Sequence, residues 1–416
     1  MTSRNQAVAL IGRGSYSAFA SDVPALIAGL TAGRHVPSRP WFSCERDRSM
    51  MNMFVNPQHA PLPVQKTRRA LTLKETLRLI TGVIDEALRE SGQPHSLLSG
   101  ERVRVYIAGN GLRTDIAEVA GYRDRNDPED LLYFPAIKKL HANCYAQDAL
   151  SEALAAHYGL TRPPATLYSA SASSMSAVHL AHAALRSGLA DVALVVSWVD
   201  ILTQDMMFLA AQNMLGESPA CPFNGRESSV LLSNGAAALL MCRDDLARTC
   251  GLSPAVYLDS CVSYQHSGAR DNASTGDFRT ITHSIEQAMK EADVAAGSIG
   301  CIFPHGNGIP ASDNTEAMAI RKLWGDEGIP VVSYKGQTGY LSTCSALVDL
   351  IIACDALKTQ RLLSWHSPVK TTTSSHLHLH CNTAPVTLTA RHLVKTALGM
   401  EGSIVSSVLS RREVQP

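Results

Sequence analysis

The run "DVALVVSWVD", Asp191 to Asp200, is apolar at consecutive positions rather than at alternate ones. A strand with one wet face alternates apolar and polar residues, so a continuous run must be covered on both faces, as in a sheet flanked by helices. The rest of the chain keeps the same rhythm. "AVALI" reads as a strand from Ala7 to Ile11, followed by a glycine turn and a helix from about Asp22 to Leu30. In "LTLKETLRLITGVIDEALRESG", Leu73, Leu77, Ile80, Ile84 and Ala87 share one helical face. "RVRVYIAGNG" predicts a buried strand, Asp148 to Tyr158 a helix, and "ATLYSA" a short strand.

The second half repeats the alternation. Strands are predicted at "AAALLMC", "AVYLDSCVSY", "SIGCIFPHG" and "PVVSYKG", and helices at "THSIEQAMKEADV", "DNTEAMAIRKLWG" and "SALVDLIIACDALK". At 416 residues the chain exceeds a single core of ~250–300 residues. No Gly/Ser linker divides it, so two halves, 1–245 and 246–416, are expected to form one layered α/β body. Residues 35–66, rich in Pro, Ser, Met and Arg, read as an excursion over the surface.

Several function classes fall away on composition. Lys plus Arg and Asp plus Glu both number 37, which gives nucleic acid no electrostatic hold. No apolar run approaches the ~20 residues of a membrane span, and the start lacks a secretory signal, so a cytoplasmic location is expected. The ten cysteines are dispersed and contain no C-x-x-C, as for reduced, buried thiols. "GRG", Gly12 to Gly14, begins a dinucleotide fingerprint, but Ser17 stands where its third glycine belongs.

The chemistry-bearing stretch is "SASASSMSAVHLAHAALRSG", where small hydroxyl residues precede a helix. A helix N-terminus offers free N–H groups and partial positive charge, which can turn a cysteine into a thiolate. A serine titrates far higher, so Ser171 would need a general base. Together with "DVALVVS" this stretch resembles, without a gap, the T-A-C-x-S…D-x-A-L pattern of β-ketoacyl-acyl-carrier-protein synthases. "CPFNGRESSVLLSNGAAALL" is similar to that family's R-P-F-D-x-x-R-D-G-F-V-x-G-E-G-A. "PHGNGIPASDNTEAMAI" is similar to A-H-G-T-G-T-x-x-G-D-x-x-E, and "VVSYKGQTGYLSTCSALVDL" to S-x-K-x-x-T-G-H-x-x-x-A-A-G. The match extends from "AVALIGRG" to "TALGMEGSIVSSVLSRR".

The resemblance implies a thiolase-like five-layered αβαβα fold and dimers formed through the strand and helix flanking the nucleophile region. It places Ser171 at the condensing cysteine, His305 at one of two site histidines and Tyr340 at the other. Tyrosine is neutral near pH 7 and cannot supply an imidazolium's charge. Lys335 and Glu316 fill positions that the family uses for a buried ion pair supporting the site. Asn307 and Ile309 replace two threonines that bond the phosphopantetheine arm; Asn307 retains hydrogen-bonding groups and Ile309 does not. At the C-terminal gate "LGMEG" replaces the family's phenylalanine- and glycine-rich G-F-G-G, with Leu398 and Met400 at aromatic positions around Gly399 and Glu401 at a glycine position, while Val230 and Asn234 replace a phenylalanine and a glutamate.

Three functions fit these changes. The first is a non-condensing, chain-length-factor-like subunit paired with a Cys-containing ketosynthase. The second is an acyltransferase in which Ser171, with His305 as base, moves an acyl group from a carrier protein or coenzyme A to oxygen, nitrogen or water; the N–H groups of Ser171 and near Gly399 would form its oxyanion hole. The third is a scaffold that binds a carrier protein or acyl chain. No resident cofactor or metal is implied, and acyl-phosphopantetheine or acyl-CoA would be the substrate. "HLHLH", His376 to His380, could hold zinc or copper, but without nearby Cys, Asp or Glu it reads as a solvated hairpin face.

Overall fold

The computed structural model describes residues 7–41, 59–60, 69–124, 147–215, 220–223, 228–266, 277–325, 328–367 and 377–413. Its main strands are β1 (Val8–Ser17), β2 (Val103–Ala108), β3 (Ala165–Leu167), β4 (Val192–Val199), β5 (Gly235–Arg243), β6 (Val256–Gln265), β7 (Ile299–Phe303), β8 (His392–Leu398) and β9 (Ser403–Arg411). The main helices are α1 (Val23–Thr31), α2 (Leu73–Ser91), α3 (Ile116–Asp124), α4 (Gln147–Tyr158), α5 (Ser173–Arg186), α6 (Thr203–Ala211), α7 (Phe278–Glu291), α8 (Pro310–Trp324) and α9 (Ser345–Thr359).

The strands hydrogen-bond in the order β3-β2-β4-β5-β1-β6-β9-β8-β7. β2 runs parallel to β3 and β4, and β8 parallel to β7; the other pairs are antiparallel. Only Val8 to Leu10 of β1 pair with β6, so the ladder narrows where its two sides join. One side packs α2 and α4 over an outer core that includes Ile80, Ile84, Leu154 and Leu240. The other packs α7 and α8 over Ile281, Ile285, Ile320 and Val408. Between the sides, α5 and α9 share the largest core, with Val178, Leu185, Leu350 and Leu357. Helix, sheet, helix, sheet, helix: the fold is the thiolase-like α/β arrangement. β4 is buried at all eight positions, because its two faces meet different helical layers.

Local chemistry sets the element ends. Asp22 caps α1 by accepting from Ala25 N, and Thr72 and Glu75 form a capping box on α2. The "GRG" glycines lie within β1: a Cβ on Gly12 or Gly14 would come within 2.1 Å of Ala87 O or 1.9 Å of Val83 O. They let β1 press against the backbone of α2 and form no phosphate cradle.

Some sequence expectations are corrected. "PVVSYKG" is not a strand: Val331 makes single bridges to Ile302 and Leu379, and the chain then turns into a short helix, Lys335–Thr338. "HLHLH" is not uniformly solvated, since His378 is exposed but His380 is buried with its ring nitrogen 3.1 Å from Thr383 Oγ1. His376 and most of residues 35–66 lie outside the described residues. Helices α3 and α6 were not anticipated. Cys221, Cys242, Cys261, Cys301, Cys344 and Cys354 are free thiols and buried as expected, whereas Cys250 is free but exposed; Cys44 and Cys144 lie outside the described residues. Among the described residues no helix is long and apolar enough to cross a membrane.

Candidate functional site

Ser171 follows β3 and precedes α5 at a sharp elbow. Ala170 sits at φ 40°, in the left-handed region, which costs a non-glycine residue about 1–3 kcal/mol. Ser173 holds the elbow: its hydroxyl accepts from Ser169 N at 2.8 Å and donates to Ala170 O at 2.5 Å. The C-terminal gate is tied to the same turn through Ser169 Oγ to Ser403 Oγ, 2.9 Å. Gly399 packs closely against it, since a Cβ there would lie 3.0 Å from Ser169 O.

A cavity of about 110 Å³ adjoins Ser171, lined among others by Asn110, Ile201, Leu232, Tyr340, Ser342 and Met400. Ser342, at φ 42°, is a second strained residue on its wall. Tyr340 is buried and its hydroxyl makes no hydrogen bond of good geometry, although the side chains of Ser171 and Asn307 face it. Burial pushes the phenol up to about 12, with those two facing groups only partly offsetting the cost.

His305 meets Tyr340 edge to face, with ring centroids 5.8 Å apart at 89°. Its loop is held by two carboxylates of α8. Glu316 accepts from His305 N at 2.8 Å and Gly306 N at 3.0 Å, and also from the Thr396 hydroxyl. Asp313 accepts from Phe223 N at 2.7 Å, Asn307 N at 3.1 Å and Gly308 N at 3.2 Å. Asn307 Oδ1 accepts from Ile309 N at 3.1 Å. Behind the loop, Asp349 Oδ2 accepts from both Lys335 Nζ and Lys395 Nζ at 2.6 Å, and Lys395 also donates to Pro304 O at 3.0 Å. All three charged groups are buried. Burial, then Lys335 and Lys395, hold the His305 imidazolium well below its ordinary range. Burial likewise lowers Lys395 to about 8, against the opposing pull of Asp349.

These positions bring Ser171, His305, Tyr340 and Asn307 to one place, and they correct the rest. Lys335 and Glu316 are not an ion pair: the lysine pairs with Asp349, while the glutamate braces the loop backbone. Of the N–H groups near Gly399, that of Gly399 itself is bonded to Ser403 O at 2.8 Å. Val230, Leu398 and Ile309 belong to the hydrophobic packing and do not line the Ser171 cavity, whereas the gate residue Met400 does line it, beside Leu232. Asn234 accepts from Ile201 N at 2.7 Å. Glu401 is exposed, with a carboxylate oxygen 3.3 Å from where a Cβ on Gly399 would sit.

With this geometry in view, the match to known sequences is decisive. Residues 6–247 match the family model "Beta-ketoacyl synthase, N-terminal domain", and residues 257–366 match "Beta-ketoacyl synthase, C-terminal domain". The chain belongs to the β-ketoacyl synthase family.

Among curated relatives, the highly reducing polyketide synthase sdnO of Sordaria araneosa is 26% identical over 282 residues, covering 66% of this chain and 9% of that protein. Erythronolide synthase EryA2 of Saccharopolyspora erythraea is 26% identical over 290 residues, covering 68% and 8%. The chain therefore spans less than a tenth of either relative. Two solved structures share the fold. The ishigamide ketosynthase/chain length factor has a TM-score of 0.85 at 19% identity, covering 98% of this chain and 100% of the other. The second, "AntDE:AntF (apo): type II PKS acyl-carrier protein in complex with its ketosynthase bound to the hexaketide", has a TM-score of 0.80 at 17% identity, covering 98% and 100%.

Sequence reasoning missed Asp313, Asp349, Lys395 and Ser173. Asp313 stands at the aspartate of G-D-x-x-E in a motif already in view. Asp349 and Lys395 carried another signal, a charge inside an otherwise apolar helix or strand, which burial permits only with a partner.

Proposed function

We propose that this chain is a non-condensing, chain-length-factor-like subunit that pairs with a Cys-containing ketosynthase and helps shape the pocket for a growing polyketide or fatty acyl chain. The chain would arrive as acyl-phosphopantetheine on a carrier protein. The observation that carries this reading is the electrostatics of His305. A serine nucleophile requires its base to become an imidazolium, and here burial and two nearby lysines oppose that charge. The second histidine is a neutral, buried tyrosine. β3 lies at the edge of the sheet, exposed at Ala165 and Thr166, with Tyr168 exposed beside it, which suits pairing with a partner.

A second reading, acyl transfer through Ser171, is favoured by one observation: the strained elbow at Ala170 is kept although the thiol is absent. One experiment separates the two. The pure chain is incubated with acyl-carrier protein and the peptide containing Ser171 is weighed, while co-purification with a Cys-containing ketosynthase is assayed in parallel. The subunit reading expects a complex and no added mass. An acyl increment that disappears in Ser171→Ala sinks it in favour of the transferase.

A further inference from the structure

Away from Ser171, a cavity of about 420 Å³ lies between α2, β1 and the facing ends of β4 and β5. Gly82, in the interior of α2, lines it. A glycine there costs the helix about 0.5–1 kcal/mol relative to alanine, yet a Cβ at Gly82 would meet nothing within 4 Å. Packing therefore does not require this glycine, in contrast to Gly12 and Gly14, which press against the same helix. Its absent side chain enlarges the cavity.

The polar groups of the wall divide unevenly. Glu75 is closed by Arg69 and by the capping box with Thr72. Glu86 accepts from Val23 N at 2.7 Å and Ser15 N at 2.8 Å. Arg78 is exposed at the rim and has no carboxylate partner among the described residues. Asn234, with Oδ1 committed to Ile201 N, leaves its Nδ2 without an acceptor. Tyr16 and Ser21 complete the polar lining, and the Ser21 hydroxyl donates to Asp22 Oδ2 at 3.3 Å. The groups left without a partner among the described residues, the Arg78 guanidinium and the Asn234 amide nitrogen, are both donors, on walls otherwise made by Leu71, Leu79, Val83 and Val199.

We propose that this cavity binds an apolar monocarboxylate, with its head on Arg78 and its chain running over Gly82 between Leu79 and Val83. A surplus of donors calls for an oxygen acceptor, and a free guanidinium favours an anionic one. The apolar walls and the space over Gly82 take the chain.

Titration calorimetry with decanoate tests the site, with decanol as the uncharged control. The full chain is expected to bind decanoate saturably, and decanol at least about tenfold more weakly, as for loss of a charge-assisted hydrogen bond. Arg78→Ala should weaken decanoate by about tenfold or more. Gly82→Leu, which fills open space on a helix, should abolish binding while thermal melting shows an undiminished Tm. No saturable binding, equal affinity for decanol, or binding that survives both substitutions would each overturn the proposal; the last would put the ligand elsewhere, including the Ser171 cavity. Should Gly82→Leu fold poorly, the Arg78→Ala result decides.

Discussion

The two walls of the Ser171 cavity differ in how firmly the sequence holds them. On the His305 side, two carboxylates accept five backbone N–H bonds between them, and a buried aspartate accepts from two lysines behind the loop. On the Ser171 side, two residues are strained and a buried tyrosine hydroxyl lacks a well-formed partner. The frame behind His305 is thus closed on itself, while Ser171 and Tyr340 stand on a wall without such bracing. Buried polar frames resist change because removing one member leaves its partners desolvated and unpaired. A reacting hydroxyl or phenol is under no such constraint.

The largest test of this contrast is Asp349→Ala. It strands two buried ammonium groups, and urea unfolding should show a loss of about 3–5 kcal/mol. Adding Lys395→Met should recover part of it, since one stranded charge is gone. A loss below about 1 kcal/mol would mean that the frame is not what holds this wall.

If the frame is intact, the chemistry should be restorable from the other wall. Ser171→Cys with Tyr340→His is expected to raise malonyl decarboxylation about a hundredfold over the unmodified chain, within the range one positioned acid–base group supplies. Carbon dioxide release is the measurement. No rise would show that the His305 wall, too, has lost function.

Lys395 gives a pH test of the same wall. Its folded pKa is depressed to about 8, below the ordinary lysine value of 10.5. Between these values the unfolded chain binds more protons than the folded one, so stability should rise with pH across that window, by about 3 kcal/mol, and be flat for this group below it. Lys395→Met should remove the rise. It should also move His305 upward by taking away one neighbouring positive charge, which a histidine proton NMR titration would follow. A slope unchanged in Lys395→Met breaks the assignment.

How much of this was legible follows the same physical division. The layered fold was readable because continuous apolar strands and amphipathic helices report burial directly: β4 and α2 fall where "DVALVVSWVD" and "LTLKETLRLITGVIDEALRESG" put them. "PVVSYKG" misled because a short apolar run does not reveal that its backbone will be drawn into other contacts, as when Gly336 approaches so closely that a Cβ would stand 2.6 Å from Ala220 O. Ser171, His305 and Tyr340 could be placed together by motif alone. The partners of Lys335 and Glu316 could not, because pairing across distant segments depends on which buried charge lies nearest, and Asp349 outcompetes Glu316 for the lysine.

The smallest expected effect bears on the looser wall. Tyr340 is buried, its hydroxyl has no well-formed partner, and its backbone is fixed independently by Tyr340 N to Leu231 O and Ser233 N to Tyr340 O. Deleting an unsatisfied buried hydroxyl while keeping the ring removes a desolvation cost without opening a large void. Tyr340→Phe should therefore leave stability within about 1 kcal/mol of the parent or raise it, and the edge contact with His305 should persist. A clear loss would mean that the phenol does bond Ser171 or Asn307 in solution. The Ser171 wall would then be a satisfied polar network like its neighbour, and the acyl-transfer reading would gain, because a hydroxyl donating to Ser171 or Asn307 would be positioned to orient the serine toward an acyl carbon.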